Sequence, residues 1–320
     1  MSDPIGWDDV KERVLEELLD GSRALSRERH GDTLQCFIPG TMHYMHDKGK
    51  YPTVSITGGA CALNCDHCQR HILNTMIPAT TPEALVETCQ RLAGEGNIGV
   101  LVSGGSLPDG SLPWDGFIEA IGTIKVTTDL RITIHTGLID EGTASRLDAA
   151  GVDEFLIDVI GSEDTMGRVY HLDASLAEME ASLAALEATG KPVIPHIVVG
   201  LDYGRIVGEM DALDMVARHP PYALVIVVLR PIRGSPMGGV EPPDPEDVAR
   251  FIALSRFRMP GVPIALSCAR PPGRYRKRLD VLAVEAGINR IAMPAEEALV
   301  RAKELGYKLE FHHTCCSKSF

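Results

Sequence analysis

The chain has 320 residues, 44% of them hydrophobic and 23% charged, a composition that supplies a large buried core and excludes bulk disorder. Its formal net charge of −13 argues against a nucleic-acid surface, because a phosphate backbone is met by clustered Lys and Arg. No apolar run approaches the roughly 18 residues of a membrane span. The opening MSDPIGWDDVKERVLEELL also lacks the basic-then-apolar pattern of a secretion signal, so a cytoplasmic protein with reduced cysteines is expected.

In chain order, the first element is a helix in which Trp7, Val10, Val14 and Leu18 form an apolar stripe, within an N-terminal extension covering residues 1–50. A series of Val- and Ile-rich runs follows, each bounded by turn residues, as buried parallel strands are. They are TVSITGG from Thr53, NIGVLVSGG from Asn97, LRITIHTG from Leu130, VDEFLIDVIGS from Val152, PVIPHIVVG from Pro192, YALVIVVLRP from Tyr222, PIALSCAR from Pro263 and INRIAMP from Ile288. Helices separate them. TPEALVETCQRLAGEG opens on Thr81 as N-cap with Pro82 in the first turn, and Cys89 within it reads as a core residue. In SLAEMEASLAALEATG, Leu176, Met179, Leu183 and Leu186 recur at helical spacing. The basic run RPPGRYRKR at 270–278 reads either as a local anionic patch or as a solvated helix start.

Eight strands alternating with helices, and no G-x-G-x-x-G after a strand, predict an α/β fold of the (β/α)8 or partial TIM-type barrel kind over residues 51–306. The tail 307–320 ends in YKLEFHHTCCSKSF, and extension and tail are both expected to pack on the barrel.

After the first barrel strand the chain reads GGACALNCDHCQRH, placing Cys61, Cys65 and Cys68 on a loop at the carboxyl end of a strand, where barrel enzymes build their sites. With His67 or His71 as fourth donor, three thiolates would make a structural zinc site. Without one, they would hold a four-iron cluster with one iron open. The spacing C-x3-C-x2-C in this position resembles the signature of the radical S-adenosylmethionine (SAM) enzymes. The resemblance implies a [4Fe-4S] cluster on the three thiolates, SAM chelated by the open iron, and a 5′-deoxyadenosyl radical that abstracts hydrogen from substrate.

The same resemblance gives roles to other residues. His67 stands before the last cysteine, at a position often aromatic in the family. Ser103, Gly104 and Gly105 match the turn that binds the SAM amino group, although the usual acidic third residue is replaced. Gly200 closes the strand that supports adenine and ribose. Asp158 is a candidate ribose or substrate contact, with a capping role as the alternative. Arg230, at the mouth of the sixth strand, is placed to hold a carboxylate or to form a structural ion pair. His135 and His196 read as packed barrel residues, and His43 and His46 as parts of a cap.

Cys36, Cys268, Cys315 and Cys316 come from three elements that a barrel can bring to one mouth, so the count predicts a second, auxiliary [4Fe-4S] cluster. One variant uses three cysteines with Ser317 as fourth ligand, and a zinc site with His312 or His313 is the alternative. The run from LRPIRGSPMGGVEPPDPEDVARFIALSRFRMP to IALSCARPPGRYRKRLDVLAVEAGINRIAMP resembles the biotin synthase branch. The tail is more similar to lipoyl synthases, above all to the archaeal two-protein type. That likeness implies sulfur insertion into an octanoyl group on a lipoyl-carrier protein or peptide, with a second radical SAM protein as partner and ferredoxin or flavodoxin as electron donor. The alternatives are another radical SAM reaction (mutase, methylase or lyase) with a structural second metal, and a non-enzymatic iron–sulfur redox module.

Overall fold

The computed structural model describes residues 5–40 and 42–319. Its centre is a curled sheet of eleven strands, all parallel. In chain order the strands are β1 (Thr33–Phe37), a two-strand hairpin β2 (His43–Tyr44) and β3 (Asp47–Lys48) outside the main sheet, β4 (Thr53–Ser55), β5 (Ile77–Pro78), β6 (Gly99–Ser103), β7 (Arg131–His135), β8 (Glu154–Asp158), β9 (Val193–Val199), β10 (Leu224–Val228), β11 (Ile264–Leu266), β12 (Arg290–Ala292) and β13 (Lys308–His312). The sheet order is β13-β1-β12-β11-β10-β9-β8-β7-β6-β4-β5. The eight predicted barrel strands are all present and run consecutively from β4 to β12. The N-terminal extension supplies β1, which lies between β12 and β13. The two margins of the curl meet where Lys50 N–H donates to the His313 carbonyl (2.8 Å) while the Lys50 carbonyl accepts from Ile98 N–H (3.0 Å). The result is a partial TIM-type barrel.

Side chains alternate along each strand. Val100 and Val102, Ile132 and Ile134, and Phe155 and Ile157 pack outward against the helices in the main core. The intervening residues face the lumen, where Phe37, Leu156, Ile194, Val225, Ala265 and Ala292 form a separate cluster. The amino-terminal end of the lumen is sealed by Tyr51, whose hydroxyl meets Thr133 Oγ1 at 2.7 Å and whose ring occupies the space that any side chain at Gly99 would need.

The N-terminal helix differs from the sequence expectation. It breaks at Arg13–Val14 into Trp7–Glu12 and Leu15–His30, with Arg13 extended (φ −72°, ψ 148°). The break turns Val14 outward, 62% exposed, while Val10 and Leu18 stay in the core. The basic run at 270–278 is largely neutralised within the chain. Arg270 is fully buried in a two-pronged pair with Asp280 (2.6 and 2.8 Å), Lys277 pairs with Glu297, and Arg278 pairs with Glu246. Arg270 also donates to the Ser267 carbonyl and so fixes the turn after β11 that carries Cys268.

Removing one member of a buried pair strands the other charge, which costs about 3–5 kcal/mol. Asp280→Ala is therefore expected to lower unfolding stability by that amount in anaerobic urea titrations, and Lys277→Ala, on the surface, to leave the midpoint unchanged.

Candidate active site

The loop after β4 is held from two sides. Asp66 N–H donates to the Val169 carbonyl (2.9 Å), and the Asp66 carboxylate accepts from the Tyr203 hydroxyl and faces His171 Nε2 (3.0 Å). Within the loop, Asn64, Gln69 and Arg70 take left-handed backbone conformations, and Gln69 Nε2 donates to the Asn64 carbonyl (2.8 Å). These constraints turn Cys61, Cys65 and Cys68 into one cavity of about 510 Å³ at the carboxyl ends of the strands. Burial pushes the Cys65 thiol up to about 12, with Cys61 and Cys68 adding to the effect.

The glycine turn after β6 packs directly on this loop. Gly105 N–H donates to Thr57 Oγ1 (2.6 Å), and Ala62 N–H donates to the Ser106 carbonyl (2.8 Å). A Cβ at Gly105 would collide with the Ala60 carbonyl and lie 2.5 Å from Cys61 Cβ. Glycine at 105 is therefore required by the cysteine loop, while Ser103, Gly104 and Gly105 also line the cavity.

His67 lies on the Tyr170 ring (centroids 5.0 Å apart), and its Nδ1 is buried without a partner. Burial lowers its proton affinity to about 4. Tyr170 had no sequence signal and comes from a π-helical turn, Met166–Tyr170. His71 is exposed.

Among the described residues, the one set of three or more His, Cys, Asp or Glu ligand atoms lying within 4.8 Å of one another is His135, Asp158 and His196. Thiolates about 2.3 Å from one tetrahedral zinc ion would be about 3.8 Å apart. Cys61, Cys65 and Cys68 do not all lie within 4.8 Å of one another, and no set of three described ligand atoms that includes His67 or His71 does. Three thiols lining one cavity and open toward it suit a polynuclear cluster with a vacant iron.

His135 and Asp158 face each other across 3.4 Å. Burial works against the Asp158 carboxylate, yet the charge and hydrogen bond of His135, aided by His196 and His67, hold it at about 2. His196 is lowered to about 4 by burial and by His135. Sequence reasoning treated these histidines as packing residues. Their convergence appears only when β7, β8 and β9 are placed side by side.

The distant cysteines divide. After β13 the tail turns into the lumen, burying Thr314, Cys316 and Ser317 at 0–2% exposure. It is anchored by Arg290 Nη1 to the Lys318 carbonyl (2.8 Å) and by Ser319 N–H to Glu154 Oε2 (2.9 Å). Cys268, Cys315 and Cys316 gather around the lumen cluster, and Cys268 also lines the cavity. Hydrogen bonds from Cys316 and from Ser317 lower the Cys315 thiol to about 6 against its burial. Cys36 does not join them. It occupies the outward register of β1 beside Leu34, in the core between sheet and helices.

Two further expected residues lie off the cavity. Arg230 is exposed and does not line it. Gly200 does not line it either. Its backbone (φ +82°) sits against Pro243, and its N–H donates to buried Glu209 (2.7 Å), so glycine there serves the turn.

Residues 55–211 match the radical SAM superfamily, and residues 226–311 match the Biotin and Thiamin Synthesis associated domain. The chain is 28% identical over 250 residues to a biotin synthase of Halorhodospira halophila, covering 74% of this chain and 73% of that protein. It is 26% identical over 246 residues to a biotin synthase of Synechococcus elongatus, covering 74% and 75%. A methylornithine synthase crystal structure superposes with a TM-score of 0.65 at 18% identity, covering 97% of this chain and 95% of that one, a likeness of fold alone.

A methyl group at position 105 must displace the cysteine loop, an overpacking that costs about 1–3 kcal/mol. Gly105→Ala is expected to show that loss in chemical unfolding. Gly59→Ala, whose nearest neighbour would be Asn74 at 3.8 Å, is expected to leave stability unchanged.

Proposed function

Because the chain belongs to the radical SAM superfamily, in the branch that carries a biotin and thiamin synthesis associated domain, we propose that it is a sulfur-inserting enzyme that converts C–H to C–S. The observation that carries this reading is the second thiol set. Cys268, Cys315 and Cys316, with Ser317 buried beside Cys315, gather beneath the same cavity that the Cys61–Cys65–Cys68 loop opens into. When bound, a cluster and SAM at the mouth supply the hydrogen-abstracting radical, and a cluster on the deeper set supplies sulfur.

The chain's own residues do the positioning. Cys61, Cys65 and Cys68 would hold the first cluster, and the backbone of Ser103, Gly104 and Gly105 offers polar groups beside it at the cavity wall. Cys268, Cys315, Cys316 and Ser317 would hold the second, with Cys36 excluded by its outward register. Met42, Met76, Leu101 and Leu138 give the cavity apolar walls that keep water from the reacting carbon and suit an aliphatic chain. These walls favour an octanoyl group on a carrier protein or peptide. A small ring substrate of the biotin synthase kind is the second reading, favoured by the names of the relatives and by the polar floor of Asp158 and His135. A second radical SAM protein would share the paired insertions of the octanoyl reading, and ferredoxin or flavodoxin would supply electrons.

Anaerobic reconstitution is expected to give about eight irons per chain, four for each cluster. Reduced protein with SAM should release 5′-deoxyadenosine. Cys268→Ala and Cys316→Ala should each lose up to half the iron while keeping reductive SAM cleavage, and Cys36→Ala should keep all of it. A parent protein holding four irons, unchanged by Cys268→Ala, would remove the second cluster and with it sulfur insertion.

A further inference from the structure

At the cavity floor, His196 joins His135 and Asp158 in a constellation that the reading above uses only in part. His135, Asp158 and His196 stand on three adjacent strands, β7, β8 and β9. Asp158 and His196 are register partners, and His135 is paired with Leu156, two residues before Asp158 on the same inward face. Rigid strands, not loops, therefore fix all three. Their ligand atoms lie within 4.8 Å of one another.

The hydrogen-bonding of His196 sets its chemistry. Its Nδ1 lies 3.1 Å from the Ile194 carbonyl, which can only accept, so Nδ1 carries the proton and Nε2 is left with a lone pair. Metal-bound histidines are oriented by this kind of outer hydrogen bond. An ion pair between His135 and Asp158 alone would need no second imidazole converging on the same point. A cation shared by the three accounts for it.

We propose that His135, Asp158 and His196 form a divalent transition-metal site on the cavity floor, separate from both thiol sets. Two imidazoles and one carboxylate, with no sulfur donor, suit zinc, iron(II) or manganese(II) and leave coordination positions open. The open side faces the cavity, because the His135 and Asp158 side chains retain 25% and 37% exposure and line it. The ligand for those positions is an oxygen or nitrogen donor of the substrate, such as a carboxylate or an amide carbonyl, which the ion would orient toward the cysteine loop. This site stands whether or not the tail thiols hold a cluster.

The test uses the full, anaerobically purified, cluster-loaded chain, stripped of loose metal and dialysed against micromolar zinc. About one zinc per chain is expected without loss of iron. X-ray absorption at the zinc edge should show nitrogen and oxygen neighbours at about 2.0–2.1 Å and no sulfur at about 2.3 Å. His135→Gln and His196→Gln should each weaken zinc binding at least about 100-fold with iron content unchanged. Asp158→Asn, which keeps the side-chain shape, gives the same test if either histidine variant fails to fold. No zinc binding at micromolar concentration, binding that survives these substitutions, or a sulfur-coordinated zinc would each overturn the site. Loss of the tail cluster with zinc binding intact would instead count only against sulfur insertion.

Discussion

In a parallel strand successive side chains point to opposite faces, and in this sheet the two faces have different chemistry. One is coated by helices and filled with Val, Ile and Leu, and the other looks into a lumen that holds the reactive groups. Every functional assignment depends on that parity. It sends Cys36 outward and excludes it from the tail thiols. It sends Thr133 and Glu154 inward at the amino-terminal end, where they fasten Tyr51 and the tail. It sends His135, Asp158 and His196 inward at the carboxyl end, where the cavity begins. A one-residue shift of any of these strands would exchange its core face for its lumen face.

The C-terminal tail gives the lumen its depth. Filled only by strand side chains, a barrel interior is a packed core with little room for chemistry below its mouth. Here small inward residues such as Ala265 and Ala292 leave space, and Cys316 and Ser317 fill it. The tail thus completes the core and brings two thiols and a hydroxyl under the cavity. The buried Arg270–Asp280 pair does related work on the opposite wall by fixing the turn that presents Cys268.

The eight barrel strands are legible in the sequence because each is a continuous apolar run ending in a glycine, proline or cap. The cysteine triplet is legible because its ligands are local and its spacing is set by a single loop. β1 and β13 are harder to read: TLQCF and KLEFH alternate polar with apolar, and they gain their place by pairing with each other and with β12. Counting cysteines brings Cys36 into the second set, because a count contains no strand phase. Gly200 and Arg230 lie at strand ends as expected, yet the cavity is reached from other strands. His135, Asp158 and His196 have no mutual spacing in the chain, and only the adjacency of β7, β8 and β9 joins them.

The lumen is sorted by donor softness as well as by depth. Sulfur donors come from irregular segments, a loop with three left-handed residues, the turn after β11 and the C-terminal tail. Nitrogen and oxygen donors come from strand ends, whose separation is set by the sheet and suits a single small ion. His135 and Asp158 line the same cavity as the cysteine loop and Cys268. Burial, with Cys61 and Cys68, raises the Cys65 thiol, and Asp158 adds to it; against burial, Asp158 raises the His135 imidazole, and Cys315 adds to it. In the proposed sulfur insertion, a substrate carbon reached from the loop above and from the tail thiols below would lie over this floor, and a polar group it carries would meet His135 and Asp158.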